Sequence, residues 1–335
     1  MLKLKFNNYL LDLESRKREK QKEDICLDGI SKEIKSIYLE LKTKYPRTVT
    51  KEVLNKLNIN YQTFYSWIIG SNPIPISKLY DLLKLWQNEL NKSQEKFNEK
   101  WEEIYKKTLG YSQNGQGKVK LPKEFNENLA YLMGFFQGDG HLAKEQTERY
   151  QEYSIHFFEE HKEFLEKFNE KIKEEFNING NIYEEHDATG KWFRLRLCSK
   201  PIYLFFKKVL GLTSGRKVRN VKVPLLIKDL ESKLQIVFIR GFFDAEGGIG
   251  ETAKNPWLEI GQASANYPAE ILVWIKETLD KNGIILSQPQ KSSGQDFFRL
   301  RTSKRETIKT FFEIVSSEHK SKVNKFQEII KKCQD

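Results

Sequence analysis

The chain has 335 residues, of which 39% are hydrophobic and 31% are charged. This length and apolar content can form two or three domains, each with its own core, and argue against disorder over most of the chain. No apolar run approaches the roughly 20 residues that span a bilayer, and the first residues lack a signal-peptide core, so we expect an intracellular, cytoplasmic protein. The net charge of +11 favours a polyanionic partner such as nucleic acid, while Cys26, Cys198 and Cys333 are too scattered for a disulfide framework or a zinc site.

Residues 1–115 are predicted to form a helical N-terminal domain. The helical spacing of apolar residues predicts a helix at residues 31–44. Residues 48–70 predict a short helix capped by Thr50, then a polar turn, then a second helix that ends at Gly70. This spacing is typical of a helix-turn-helix, which would present Gln62, Thr63, Tyr65 and Ser66 to a DNA groove. A plain helical hairpin is the alternative.

A long charged helix is predicted next, from about Ser77 to Lys107. The following segment, LGYSQNGQGKVK, is rich in Gly, Ser, Asn and Gln, as linkers are. We therefore expect the main domain boundary near residue 115.

Beyond this boundary the sequence repeats itself. KVKLPKEFNENLAYLMGFFQGDG, which ends at Gly140, is answered by a segment ending GFFDAEG at Gly247, and WFRLRLCSK by FFRLRTSK. The offsets agree, since Gly241 minus Gly134 is 107 and Arg299 minus Arg194 is 105. A duplicated unit is therefore predicted, with repeats at 116–220 and 221–335, each in the order helix, two strands, helix, two strands, helix. In the first repeat a hairpin is expected around Ala188, Thr189 and Gly190; in the second, ILSQPQ is the expected counterpart strand.

The repeated phrase predicts a close helix pair. Gly134 and Gly138 lie four residues apart in one copy, and Gly241 and Ala245 do so in the other, so two helix backbones can approach closely through these faces. The helix ends would then bring the carboxylates of Asp139 and Glu246 together. A divalent cation, Mg²⁺ or Mn²⁺, would offset their repulsion, with the carbonyls of Gly138 and Ala245 as further oxygen ligands. Such a site could support phosphodiester hydrolysis; simple acidic turns after core helices are the alternative.

These segments resemble the signature helices of the LAGLIDADG homing endonucleases in their single-chain, two-repeat form. The resemblance covers residues 118–335. It implies an α+β fold of two pseudo-symmetric αββαββα repeats with antiparallel DNA-binding sheets, preceded here by the helix-turn-helix-like domain. It also implies that Asp139 and Glu246, in the eighth place of each motif, bind catalytic metals. Gln137 stands where the sixth residue is usually acidic.

The arginines of the RLR phrases are predicted to face DNA. Arg194 and Arg196 share one strand face, and Arg299 and Arg301 repeat this arrangement, while the intervening apolar residues face a core. Such a ribbon can lie in the major groove and contact guanine edges or phosphates. A solvated polar sheet face is the alternative.

The resemblance implies further catalytic residues. A basic residue near the metal site is expected at Lys200 and Lys304, with Arg196 and Arg301 as alternatives. Gln262 resembles a glutamine that orders active-site water, and the first repeat offers Glu159 in that place. His156 and His161 are five residues apart across a strand–helix junction, a poor spacing for metal ligands.

The function expected from this resemblance is a Mg-dependent, site-specific DNA endonuclease that acts as a monomer on a long asymmetric duplex site. Cleavage across the minor groove with short 3′ overhangs is implied. The alternative is a non-cleaving DNA-binding regulator or an RNA intron maturase. An enzyme embedded in an intein is disfavoured, because the chain ends lack the residues that splicing requires.

Overall fold

A computed structural model describes residues 4, 25–113, 115–146, 151–187, 190–213, 221–252 and 255–331. The predictions that concern Ala188, Thr189 and Cys333 lie outside these residues. No helix within the described ranges is both long and apolar enough to cross a membrane.

Residues 31–70 fold into the predicted helices, with one correction at a cap. The first three are α1 (Ser31–Lys44), α2 (Val49–Leu57) and α3 (Tyr61–Ile69). The residue before α2 is Thr48, not Thr50. Thr50 is the second residue of the helix, and its hydroxyl forms a hydrogen bond with the Tyr38 hydroxyl at 2.8 Å. Gly70 ends α3 in the left-handed conformation with φ +78°, as predicted.

The long helix predicted from Ser77 to Lys107 is instead two helices, α4 (Ile76–Glu89) and α5 (Gln94–Lys107). Asn91 takes a left-handed φ of 50°, which a continuous helix cannot contain. The Ser93 hydroxyl then accepts from the Lys96 amide at 3.2 Å and starts α5.

The predicted linker is wrong, because its residues form a hairpin. Strands β3 (Gly110–Gln113) and β4 (Gln116–Val119) pair with each other, and β3 also pairs with β1 (Ile25–Asp28). With β2 (Ile74–Pro75) they make a sheet in the order β2-β1-β3-β4. Tyr111 and Val119 are buried there, so apolar burial outweighs the polar composition. The N-terminal part is thus mixed rather than purely helical, and the domain boundary near residue 115 stays a prediction.

Both copies of the repeat have the predicted element order. The first comprises α6 (Glu127–Asp139), β5 (Gly140–Gln146), β6 (Gln151–Glu159), α7 (Lys162–Phe176), β7 (Asn181–Asp187), β8 (Gly190–Cys198) and α8 (Lys200–Leu204), which continues into a π-helical turn at Phe205–Val209. A short helix, α9 (Leu225–Lys228), joins the copies. The second comprises α10 (Ser232–Glu246), β9 (Gly247–Glu251), β10 (Pro256–Ala263), α11 (Glu270–Lys281), β11 (Gln290–Lys291), β12 (Phe297–Thr302), α12 (Arg305–Ile314) and α13 (Lys320–Lys331).

The two repeats also share one sheet topology. The antiparallel sheets run β5-β6-β8-β7 and β9-β10-β12-β11, so each copy places its strands in the same relative order. The α+β class is therefore confirmed. The expected strand ILSQPQ shrinks to two residues, because Pro289 has no N–H to donate and the Ser287 hydroxyl accepts from the Arg301 amide instead, at 3.0 Å.

Candidate active site and nucleic-acid interface

Helices α6 and α10 pack back to back at their first glycines. A methyl group on Gly134 would lie 2.0 Å from the carbonyl oxygen of Phe238, and one on Gly241 would lie 2.2 Å from that of Tyr131. Each carbonyl belongs to the residue three places before the partner glycine, so the contact is symmetric. Only glycine permits this approach.

The C-terminal ends of both helices converge at the same place. A methyl group on Gly138 would lie 2.5 Å from the Ala245 Cβ and 3.6 Å from Oε1 of Glu246, so the Glu246 side chain reaches the end of α6 beside Asp139. The caps match as well: Gly140 has φ −98° and ψ 154°, and Gly247 has φ −95° and ψ 152°. Both helices therefore end in one geometry, with half-buried carboxylates one residue before each cap.

This arrangement fits a hard divalent cation. Two carboxylates stand at the negative ends of two helix dipoles, where a positive charge is stabilised. Carboxylate and carbonyl oxygens are the donors that Mg²⁺ and Mn²⁺ prefer. The predicted interface residues Gly134, Gly138, Gly241 and Ala245 all lie in this contact.

Lys322 brings a positive charge to the same place, and the sequence interpretation missed it. Its ammonium group donates to the carbonyl oxygens of Phe243 and Asp244, both at 2.7 Å. Burial lowers the pKa of Lys322, while several carboxylates, those of Asp139 and Glu246 among them, act against this shift. A sequence signal exists, since Lys322-Val323 answers Lys217-Val218 at the same offset of 105 that relates the arginines.

The sixth place of each motif is structural. Gln137 is buried and donates to the Lys222 carbonyl at 3.0 Å. The Asp244 carboxylate, 1% exposed, accepts from the hydroxyls of Tyr131 at 2.7 Å and Ser317 at 2.5 Å, and from the Glu318 amide at 2.9 Å. These residues fasten neighbouring segments to the helix pair.

The predicted basic pair is not symmetric. Lys200 is buried at the first turn of α8, with its ammonium 5.0 Å from the centre of the Tyr153 ring. Lys304 is exposed and precedes α12. The two lysines therefore lie in different environments, and their catalytic roles stay predictions.

Glu159 and Gln262 occupy equivalent places in the two sheets. Glu159 pairs with Phe193, and Gln262 with Phe298, the matching residues of the two RLR strands. Gln262 is 6% exposed, and its Oε1 has no hydrogen-bond partner among the described residues. A buried acceptor of this kind is suited to an ordered water.

In β8 and β12, the strands that carry the RLR phrases, buried apolar residues alternate with arginines as predicted. Phe193, Leu195 and Leu197 are buried, as are Phe298 and Leu300, and the arginines between them are half-buried on the opposite sheet face. That face is less cationic than predicted, because Arg194 pairs with Glu185 at 2.7 Å, Arg299 with Glu259 at 3.3 Å, and Arg196 with Glu152. Arg301 instead stacks over the Trp257 ring at 5.6 Å. Side chains from neighbouring strands supply these partners, which a single-strand pattern does not reveal.

His156 lies on the same sheet face, directly opposite Arg196. It is 5% exposed, and burial together with the charge of Arg194 lowers the pKa of His156 to about 4. The native state therefore keeps this imidazole neutral at pH values where an unfolded chain protonates it.

Acidification should destabilise the protein through His156. Between pH 7 and pH 5 the unfolded state gains a proton that the native state excludes, so His156 should lower the free energy of unfolding by about 2 kcal/mol. Urea unfolding of the wild type and His156→Gln at both pH values measures this. The variant should lose less stability on acidification; equal losses would refute the assignment.

The N-terminal helix pair exposes the predicted DNA-facing residues. Gln62 and Tyr65 on α3 are exposed and Thr63 is half-buried, while Phe64 and Trp67 face the core. The Tyr61 and Tyr65 rings stack at 5.8 Å on the outer face. A recognition role for α3 stays a prediction.

Comparison with known proteins identifies a domain within the first repeat. Residues 126–211 match the model of the LAGLIDADG-like domain. The chain is 26% identical over 208 residues to homing endonuclease I-ApeI of Aeropyrum pernix, which covers 60% of this chain and 86% of that protein.

Other relatives share only a segment with this chain. It is 26% identical over 310 residues to the isomerizing glutamine–fructose-6-phosphate aminotransferase of Methanocaldococcus jannaschii, which covers 90% of this chain but 26% of that protein. A replication factor C small subunit of the same organism is 28% identical over 62% of this chain and 10% of that protein. The chain thus spans 26% and 10% of these two relatives, whose names differ in function.

Among solved structures, I-DmoI in complex with DNA and Mn is similar, with 24% identity and a TM-score of 0.43 over 58% of this chain and 98% of that chain. The N-terminal LAGLIDADG domain of DUF199/WhiA has 15% identity and a TM-score of 0.38, over 60% and 89%. These likenesses are too distant to carry a functional argument. The domain match and the I-ApeI similarity agree that residues 126–211 match a LAGLIDADG-like domain, and the motif and helix arrangement of this domain recur once more in the chain.

Proposed function

We propose that this protein is a DNA endonuclease that hydrolyses phosphodiester bonds at a long, asymmetric duplex site. The observation that carries the proposal is the close packing of α6 and α10, which brings the ends carrying Asp139 and Glu246 together. Because the repeats are pseudo-symmetric within one chain, each repeat of a monomer would bind one half of the DNA site.

A divalent cation, Mg²⁺ or Mn²⁺, would be held by Asp139 and Glu246, with the carbonyls of Gly138 and Ala245 as candidate ligands. When bound, such an ion supplies Lewis-acid stabilisation and a more acidic water. The chain itself supplies fixed helix ends and, through Lys322, a positive charge beside the carboxylates. Gln262 would orient water from its place on β10.

Lys322 is proposed to stabilise the charge that develops on the scissile phosphate. We expect Lys322→Met to lower the cleavage rate roughly 100-fold, since a preorganised cation acts most strongly on the transition state. DNA affinity should change less than about threefold, because this half-buried group adds little to the phosphate-binding surface. Single-turnover cleavage and a binding titration measure the two effects.

Lys325→Met is the matched control for this substitution, since Lys325 lies on the same helix and pairs with Glu328 at 3.1 Å. Melting temperatures of both variants show whether α13 stays folded. Equal cleavage rates in folded Lys322→Met and Lys325→Met would exclude this role.

The sheet face that carries Arg194, Arg196, Arg299 and Arg301 is proposed to bind the DNA major groove. Arginine is suited to guanine edges and phosphates, but here acidic partners hold three of the four side chains. DNA would have to replace these partners. The carboxylates would thereby weaken non-specific binding to phosphates, so base contacts would contribute a larger share of the binding free energy.

Removing one acidic partner should strengthen non-specific DNA binding. We expect Glu185→Gln to release Arg194 and to raise the affinity for random duplex DNA severalfold at low salt. The slope of the logarithm of the binding constant against the logarithm of the salt concentration should become steeper by about one. Fluorescence anisotropy over a salt series measures this. Glu99→Gln makes the same charge change on α5, where Glu99 pairs with Lys96 at 2.7 Å. An equal gain from both variants would mean that net charge, not Arg194, is responsible.

The exposed face of α3 is proposed to contact DNA outside the cleavage core. Gln62, Thr63 and Tyr65 carry hydrogen-bonding groups on the second helix of a helix-turn-helix-like pair. Such contacts would lengthen the recognised site.

A randomised duplex library tests the proposal. The protein and the Asp139→Asn, Glu246→Gln double variant are incubated with the library and Mg²⁺ or Mn²⁺, and bound sequences and new DNA ends are both read. Discrete ends from the wild type alone are expected. Enrichment of bound sequences without new ends from either protein would instead favour a non-cleaving regulator, and binding to RNA alone a maturase.

A further inference from the structure

Three potential metal ligands outside the proposed active site meet between the first repeat and the C-terminal segment, which is the stretch that leads into α13. Glu159 ends β6, His161 precedes α7, and His319 precedes α13. Their ligand atoms all lie within 4.8 Å of one another. Nε2 of His319 is 3.4 Å from Oε1 of Glu159, close to the roughly 3.3 Å that separates two ligands of a tetrahedral ion with bonds of about 2.0–2.1 Å.

Neighbouring groups orient two of these ligands. Oε1 of Glu159 accepts from the amides of Glu160 at 2.8 Å and His161 at 3.1 Å, which fixes the carboxylate. Nδ1 of His319 is 2.8 Å from the Ser321 hydroxyl, which leaves Nε2 for the Glu159 side. The imidazole also stacks on Phe164 at 4.9 Å. Metal-binding histidines are typically held through their second nitrogen in this way.

The burial of the cluster suits an ion that keeps an open position. His319 is 5% exposed, Glu159 is half-buried, and His161 faces solvent. An ion could therefore enter from the His161 side and keep a water there.

We propose that Glu159, His161 and His319 form a binding site for a transition-metal ion such as Zn²⁺. Two imidazoles and one carboxylate are a borderline-soft donor set that suits Zn²⁺ or Co²⁺, whereas Mg²⁺ prefers oxygen ligands in an octahedron. The site thus differs chemically from the all-oxygen site at Asp139 and Glu246. It does not depend on the proposed nuclease function.

The ion would fasten the C-terminal segment to the first repeat. Lys171 on α7 already pairs with Glu318 at 3.1 Å, and Asp244 holds Ser317 and the Glu318 amide. Lys322 follows His319 by three residues and donates to the carbonyls at the end of α10. A metal at His319 would therefore fix the segment that delivers Lys322.

Cobalt titration of the metal-free full-length protein tests the site directly. Co²⁺ in a four- or five-coordinate histidine site absorbs visible light strongly, whereas an octahedral oxygen site absorbs weakly. We expect one equivalent of Co²⁺ to give the strong band, Zn²⁺ to displace it, and Zn²⁺ to raise the melting temperature by roughly 3 °C or more.

Variants separate this site from other ligands. The exposed His161 can be changed without disturbing the core: His161→Ala should weaken Co²⁺ binding at least about 100-fold, and His161→Cys should keep the site and add a thiolate charge-transfer band. His186→Ala, at an exposed histidine beside Glu184, is the matched control and should bind like the wild type. The Asp139→Asn, Glu246→Gln variant should also keep the band. No strong band in the wild type, or an unchanged band in His161→Ala, would overturn the proposal.

Discussion

Asp139→Asn and Glu246→Gln should each lower DNA cleavage by roughly 10³-fold or more, and the double variant should lose little beyond either single variant. The helix ends converge on one place. In the proposed mechanism the two carboxylates hold one cation, so either substitution would disable the same centre. Both substitutions keep the size of the side chain and remove its charge. Single-turnover rates on a cleavable duplex, with each strand labelled separately, measure the loss.

Binding and stability must be followed in the same variants. Removing a carboxylate beside the negative ends of α6 and α10 relieves repulsion, so the melting temperature should stay the same or rise. Affinity for DNA should be retained or increase, because one negative charge is lost. Multiplicative effects of the two substitutions would mean two independent sites rather than a shared one.

Gly134→Ala should destabilise the protein by about 3 kcal/mol and reduce cleavage with it. The added methyl would lie 2.0 Å from the Phe238 carbonyl oxygen, a backbone atom within a buried helix that has no room to move. The same change in an unpacked helix would stabilise it by about 1 kcal/mol, so the sign itself reports the close packing. Guanidinium unfolding at neutral pH measures the change.

Gly110→Ala is the matched control for this substitution. Its methyl would lie 2.7 Å from Cε of Lys118, but that side chain is 59% exposed and flexible, so it can turn away. We expect a change below about 1 kcal/mol. Equal destabilisation by Gly110→Ala and Gly134→Ala would show that the α6–α10 contact is not specially tight.

The sequence predicts the duplicated part well because its signals are local and occur twice. Glycine spacing in α6 and α10 depends on helical period alone, and the structure places those glycines in a close contact. The alternation of the RLR strands follows from strand period in the same way. Each signal in one copy is supported by the other.

Tertiary contacts decide the features that the sequence did not predict. The polar segment around Tyr111 becomes a hairpin because β1 lies beside it, and no local pattern shows that neighbour. The acidic partners of the arginines come from other strands, and Lys322 reaches the proposed active site from the far end of the chain. His161 and His319 likewise meet only after folding.

In the proposed mechanism, one chain brings two carboxylates together in a single metal-dependent cleavage centre. The most direct test is a time course on one duplex selected from the library, with the wild type and the Asp139→Asn, Glu246→Gln variant at matched fractions of bound DNA. We expect strand breaks on both strands from the wild type with Mg²⁺ or Mn²⁺, none with a chelator, and none from the variant. Breaks at the same positions by the fully bound variant, or no breaks by the fully bound wild type with either ion, would contradict this mechanism.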